Sequence, residues 1–342
     1  MIFNSIQSNR YDLHLINPLK NSKRLIAQRQ GLIVKLMIDG QCGCGDAAPL
    51  LPYSNESLTA IAWALEEIKI ALKHNSNYTK DDLLNLFALY AQDVPALHFA
   101  LDISLYDILA KKEKLSLATY INSSNLDQVF FSYLYNGEIN SSFKTIKVKF
   151  GTSSIDDDIK LLNNLYRKYN QEVTFRIDAN QAYDLNDFLD LTKKIKQFNI
   201  QYIEEPLSSL DIHNLKIIKD RCDIPIAIDE MIFDENYKEL IESKLLDYII
   251  LKPSIYGGLK SVLELYDYIK KHNLKIILSS SLNSVIGNLA DIHLASALRL
   301  SDDHGLNNHQ LIREYENIAP YDKNDSVIMI NQLKGLGVCL DG

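Results

Sequence analysis

From residue 129 onward, short runs of β-branched and aromatic residues alternate with amphipathic stretches of roughly ten to sixteen residues, the pattern of repeated strand–helix units around a parallel sheet. The runs predict strands at 129–134, 145–149, 173–178, 200–204, 224–229, 248–252 and 274–279. Helices are predicted at 155–169, 185–198, 213–221, 235–244, 259–272 and 285–298. Seven such strands favour a barrel, and a weaker eighth is expected at 302–307. An open doubly wound sheet is disfavoured, because no G-x-G-x-x-G turn follows an early strand.

The first part of the chain has a different texture, with a strand-like stretch at 31–38 and helical patterns at 57–72 and 95–111. The expected fold is therefore α/β: a modified (β/α)8 barrel, in the form (β/α)7β, over 126–312, with an α+β capping domain over 1–125. The tail, 313–342, with apolar 327–330, is expected to return to that cap.

Composition narrows the function classes. Of 342 residues, 46% are hydrophobic and 23% charged, as in an ordinary globular protein. A formal charge of −8 with no Lys/Arg stripe argues against nucleic acid as a partner. Without a long apolar run or a signal-like N-terminus, a cytoplasmic chain with no membrane partner is expected. Cys42, Cys44, Cys222 and Cys339 lack zinc spacing, and the Cys42/Cys44 pair reads as reduced and structural. Nothing in the pattern fixes an oligomeric state.

Ionisable residues close strand after strand: Lys149, Asp178, Glu204, Asp229 and Lys252, spaced 23 to 29 residues apart, about one strand–helix unit each. In a parallel barrel these strand ends lie at one rim, so the five side chains converge on one mouth. A single Asp or Lys ending a strand is more often an exposed loop start. Five in succession are much harder to explain that way, although a structural salt-bridge ring remains an alternative. Three carboxylates flanked by lysines would repel one another if empty, and an all-oxygen set without His or Cys favours Mg2+, with Mn2+ as a substitute. Lys147 shares the face of Lys149, two residues along the strand.

Lys147-Val148-Lys149, Arg176-Ile177-Asp178-Ala179-Asn180, Ile203-Glu204-Glu205-Pro206, Ile228-Asp229-Glu230 and Leu251-Lys252-Pro253 together resemble the enolase superfamily, specifically its muconate-lactonising subgroup. The resemblance implies a metal on Asp178, Glu204 and Asp229, with Asn180, Glu205, Glu230 and Arg176 orienting the ligands. It also implies a lysine base, Lys149, that removes a proton α to a substrate carboxylate, Lys147 tuning it and Lys252 on the opposite face.

Within the subgroup, 45–57, 252–258 and 279–287 are most similar to the o-succinylbenzoate synthase family, with Asp46 departing from an expected Glu. That similarity implies dehydration of 2-succinyl-6-hydroxy-2,4-cyclohexadiene-1-carboxylate to 2-succinylbenzoate in menaquinone biosynthesis, by α-proton abstraction and syn elimination of water. Ser279, Ser280, Ser281, Leu50, Leu51 and Gly257 are the expected substrate contacts. Stretches 15–26, read as a mobile loop, and 47–53 are expected to close the mouth. An N-acylamino acid racemase, a dipeptide epimerase, a muconate cycloisomerase and a non-catalytic metal-binding scaffold stay open. The seventh-strand exit, 279–283, carries no acid to hold a dipeptide's ammonium.

Overall fold

In the computed structural model of the chain, the described residues are 1–20, 25–50, 54, 56–75, 77–169, 171–233, 236–315 and 318–338. Three antiparallel strands open it: β1 (Phe3–Lys20), β2 (Leu25–Ile38) and β3 (Gln41–Ala47), with β2 central. Alternation along β2 buries Leu32, Val34, Leu36 and Ile38 on one face. That face packs on α1 (Leu58–Leu72), α2 (Lys80–Tyr90) and α3 (Pro95–Lys112). Leu13, Ile33 and Cys44 instead join the core of the barrel. β3 presses onto α3 so closely that a Cβ at Gly45 would stand 1.9 Å from the Ala100 carbonyl oxygen. The three-strand sheet thus buries apolar residues on both faces.

After α4 (Leu117–Ile121) the chain enters the barrel. The expected first strand, 129–134, divides in two. β4 (Gln128–Phe130) pairs antiparallel with β12 (Val327–Met329) from the tail, and only β5 (Tyr133–Leu134) joins the barrel. Six parallel strands continue in order: β6 (Thr145–Lys149), β7 (Thr174–Asp178), β8 (Ile200–Glu204), β9 (Ile226–Ile228), β10 (Tyr248–Leu251) and β11 (Lys275–Leu278). Between and after them run α5 (Ile155–Lys168), α6 (Leu185–Ile195), α7 (Ile212–Arg221), α8 (Tyr237–Glu242), α9 (Leu259–Lys271) and α10 (Val285–Ala297). The expected helix 235–244 is shorter than its pattern suggests, with a 3-10 turn at Glu230–Phe233 ahead of it; its first residue, Glu235, lies outside the described residues.

The expected eighth strand is not a ladder. Single parallel bridges at Phe131/His304 and Ser279/Gly305 close the circle between the first and seventh barrel strands. His304, fully buried, accepts the Leu278 amide on Nδ1 at 3.1 Å and so substitutes a side chain for part of the missing backbone pairing. The barrel is packed through its middle by Tyr202, Ala227, Tyr248, Ile250 and Ile277.

One expectation is corrected. Stretch 15–26 is not a free loop but the two arms of the β1–β2 hairpin, with 21–24 outside the described residues. Its Pro and Lys are tolerated because β1 is an edge strand, irregular between His14 and Leu19. That edge is tied to the end of the barrel segment and to the tail: Ile16 N–H donates to the Leu311 carbonyl at 2.8 Å, and His14 pairs with Glu314. Further along the tail, the Leu336 amide donates to Asp107 of α3 at 2.8 Å. Among the described residues no helix is long and apolar enough to cross a membrane.

Candidate active site

Register brings the strand ends together. Lys149 lies opposite Asp178 and Asp178 opposite Glu204 in neighbouring ladders, so these three stand side by side at the rim. Strand alternation turns Lys147, Lys149, Asp178 and Glu204 inward. The second and sixth barrel strands lie on opposite sides of the circle that the single bridges close, which sets Lys149 and Lys252 across the mouth from each other. The Lys147 ammonium sits between two carboxylates, 3.0 Å from Asp178 Oδ2 and 2.7 Å from Glu204 Oε2. Lys252 pairs with Asp229. Among the described residues Lys149 makes no hydrogen bond or ion pair within the chain.

Electrostatics separates these groups. Burial, with Asp178 and Asp229 nearby, pushes the Glu204 carboxyl up to about 8 even though Lys147 opposes the shift. Burial would lower Lys147, but Asp178 and Glu204 outweigh it and hold the ammonium charged. Lys149 moves the other way: burial first, then the Lys147 charge, lowers it below an ordinary lysine, with Asp178 only partly restoring it. The mouth thus holds one lysine locked as a cation and another biased toward the neutral amine.

A second ring holds the first. Glu205 accepts from the amides of Asp229 and Met231 at 2.8 and 3.0 Å and from Gln181 Nε2 at 2.9 Å, tying the exits of β7, β8 and β9 together. Asn180 Nδ2 donates to Asp178 Oδ1 at 2.6 Å. Asn180, Gln181 and Glu205 all have positive φ, 46°, 60° and 47°. Such backbone costs about 1–3 kcal/mol per residue and clusters where side chains must be aimed. Gln181 was not singled out from the sequence; its only signal was its place directly after Asn180, a residue that tolerates this conformation.

Not every expected residue joins the cavity at the mouth. Leu50, Glu230, Ser279, Ser280 and Ser281 line it with the lysines and carboxylates. Leu51 lies outside the described residues. Arg176 is corrected: two residues before Asp178 on the same face, it sits about 6.6 Å lower in the barrel, its Nε donating to Gln201 at 2.7 Å and its guanidinium over the Tyr202 ring. Gly257 is corrected too. It is not a lining residue but turns, at φ +96°, against His98 of α3. The remaining wall includes positions with no catalytic pattern, among them Leu19 and Ile26 of the hairpin, Leu134, Leu282, Asn308 and Gln310.

The donor set fits a hard divalent cation: three all-oxygen side chains at consecutive strand ends, Asp178 and Glu204 buried and Asp229 half-buried, with one carboxyl strained by its neighbours toward protonation. Among the described residues no three acidic side chains are close enough to hold an ion as they stand; Lys147 stands between Asp178 and Glu204, and Lys252 pairs with Asp229.

Comparison with known proteins agrees with this architecture. The family model "Enolase C-terminal domain-like" matches residues 136–342, and "MenC, N-terminal domain" matches 4–107. The L-Ala-D/L-Glu epimerase of Francisella tularensis subsp. novicida is 25% identical over 283 residues, 78% of this chain and 79% of its own. The o-succinylbenzoate synthase of Listeria innocua serovar 6a is 22% identical over 362 residues, 100% of this chain and 94% of its own. The solved dipeptide epimerase of Enterococcus faecalis V583, complexed with Mg and the dipeptide L-Leu-L-Tyr, superposes with a TM-score of 0.82 at 21% identity and covers 99% of each chain. With a matched C-terminal domain over more than half its length and the same fold throughout, the chain belongs to the enolase superfamily.

Proposed function

We propose that the protein is an o-succinylbenzoate synthase, dehydrating 2-succinyl-6-hydroxy-2,4-cyclohexadiene-1-carboxylate to 2-succinylbenzoate in menaquinone biosynthesis. The observation that carries the choice is that the described residues of the outer wall carry no acid. Beyond the carboxylates at the strand ends and Glu205 and Glu230 beside them, no described residue lining the cavity is acidic. A dipeptide brings an ammonium, whose burial without a carboxylate partner is costly; a succinyl-bearing ring brings none. The match of the N-terminal part to a MenC domain supports the same reading.

Asp178, Glu204 and Asp229 would hold Mg2+, or Mn2+ in its place. When bound, the ion supplies a fixed positive charge for the substrate carboxylate as negative charge develops there. Lys149, biased toward its neutral amine, takes the α proton. As an ammonium it then returns that proton to the departing ring hydroxyl on the same face, so that one C–H and one C–O bond break, one C=C bond forms, and water leaves. Lys252, on the far side, stabilises the planar intermediate as a cation facing its π system. The hydroxyls of Ser279, Ser280 and Ser281 line the cavity as its polar side toward the succinyl tail, the Ser279 and Ser280 amides being held by the Leu251 and Gly305 carbonyls, and Leu50 with Leu19 and Ile26 excludes water from above.

A second reading, racemisation of an N-acylamino acid, is favoured by the placing of one lysine on each face. The test is an assay of Mg2+-loaded protein with the cyclohexadiene substrate, followed by absorbance of the aromatic product, beside N-succinylamino acids and dipeptides followed by polarimetry. Turnover of the first supports the proposal. Turnover of the amino-acid derivatives alone overturns it.

A further inference from the structure

Asp46 belongs to β3 of the cap, yet its carboxylate reaches into the barrel. It accepts the Ser284 amide at 2.8 Å and the Ser284 hydroxyl at 2.7 Å, and the Tyr11 hydroxyl from its own sheet at 2.8 Å. Ser284 is the residue that opens α10, and its own side chain makes no capping bond. Asp46 therefore caps a barrel helix from another part of the fold, where a negative group is favoured. The fit is close: a Cβ at Gly287, in the first turn of α10, would stand 2.8 Å from Asp46 Oδ2.

Beside it Arg29 of β2, 8% exposed, spans the same seam. Its Nε donates to the Ser281 carbonyl at 3.2 Å, while Nη1 and Nη2 donate to the carbonyls of Pro49 at 2.8 Å and Ala48 at 3.3 Å. One planar fork thus ties the exit of the seventh barrel strand to the turn that carries Leu50. Between the two anchors stands Leu282, a cavity-lining residue held at φ +57°, a conformation that persists only where its surroundings enforce it.

We propose that Asp46 and Arg29 are positioning residues through which the cap sets substrate specificity. Asp46 fixes the start of α10, Arg29 fixes Ser281 against Ala48 and Pro49, and together they hold Leu282 and Leu50 as one continuous wall of the substrate cavity. The lysines and carboxylates stand on β6 to β8 or directly after β9 and β10, and among the described residues they share no hydrogen bond with either residue, so the pair acts on substrate fit rather than on the chemical step. The choice of assay substrate rests on the proposed function; the wall itself does not.

A cap-to-barrel contact elsewhere provides the control. Asp102 of α3, equally buried, accepts the Leu259 amide at 2.8 Å where α9 begins, away from that wall. The experiment compares Asp46→Asn, Arg29→Lys and Asp102→Asn in the full-length, Mg2+-loaded protein, on whichever substrate class the wild type turns over. Each variant's Tm and Mg2+ affinity are measured alongside. Asp46→Asn and Arg29→Lys should raise KM about tenfold with kcat within about threefold, whereas Asp102→Asn should lower Tm comparably with KM within about twofold. Hydrogen exchange needs no substrate, and the Leu282 and Ser284 amides should exchange about tenfold faster in the first two variants and not in the third. Unchanged KM and exchange in folded Asp46→Asn and Arg29→Lys, or an equal effect of Asp102→Asn, would overturn the proposal. If Asp46→Asn does not fold, Ser284→Ala removes one of the barrel contacts of Asp46 and keeps the amide; an unaltered KM and Leu282 exchange rate there overturn it equally. Wild-type protein that ignores the cyclohexadiene substrate refutes the proposed reaction only.

Discussion

Lys147 Nζ lies 2.7 Å from Glu204 Oε2 and 3.0 Å from Asp178 Oδ2, one ammonium shared by carboxylates on adjacent strands. Lys149 points into the same mouth from the same strand, so the charge of Lys147 bears on both halves of the proposed chemistry. It offsets the carboxylates, and it makes a second cation nearby less favourable.

The pH profile should show this. A base works as the neutral amine, whose fraction rises with pH through its pKa, so kcat/KM should climb along a limb centred below the 10.5 of an ordinary lysine. Lys147→Met removes the neighbouring charge that lowers Lys149, so the limb should move to higher pH. A limb that stays in place in this variant would separate the two lysines.

Metal dependence follows from the three carboxylates. EDTA should abolish activity and Mg2+ or Mn2+ restore it, and Asp178→Asn, Glu204→Gln or Asp229→Asn should each lower kcat/KM on the order of 100-fold or more. Full activity in metal-free protein, checked by elemental analysis, would refute the assignment.

The lysines should separate in deuterium exchange. Lys149→Ala should abolish both dehydration and solvent exchange of the α proton, a loss of roughly 100- to 10,000-fold for a general base. Lys252→Ala should also be severe for dehydration, through lost stabilisation of the intermediate. Near-normal turnover in Lys149→Ala, followed by product absorbance and NMR in D2O, would reassign the base.

Leu50 and Leu19 shape the mouth from the cap side. Leu50→Trp should raise KM for the cyclohexadiene substrate while Mg2+ affinity, measured by calorimetry, stays within about twofold of wild type. An unaltered KM in the folded, metal-binding variant would leave that turn as a mere connection.

Glu56 gives a stability prediction remote from the chemistry. Its carboxylate accepts the Ala96 amide where α3 begins, and burial pushes it up to about 7 from 4.5. A carboxyl raised in the folded state binds its proton more tightly there than when unfolded. It therefore contributes stability at low pH that is lost as pH rises through about 7, by no more than about 3 kcal/mol. Thermal melts between about pH 5 and 8 should show a larger drop in Tm for wild type than for Glu56→Gln; parallel curves would contradict it.

The period of the chain was enough to locate the barrel strands and most helices, because a strand buried in a parallel sheet must be apolar along its length and a helix on its outside must be amphipathic. It was also enough to pick out Asp178, Glu204, Asp229, Lys149 and Lys252, since a charged residue ending such a run is visible in one dimension. What one dimension hides is register and depth. Arg176 and Asp178 look equivalent along the strand, but one pleat puts the first in the barrel floor and the second at the rim. The stretch 15–26 reads as a loop from its Pro and Lys, and only the pairing of its two arms, held at one edge by the Ile16 hydrogen bond to Leu311, makes it a hairpin. Asp46 and Ser284, 238 residues apart in the chain, meet at 2.7 Å. Local pattern records which face of an element is buried, whereas contacts between distant elements arise from packing those faces together, and that was decided by the tertiary structure alone.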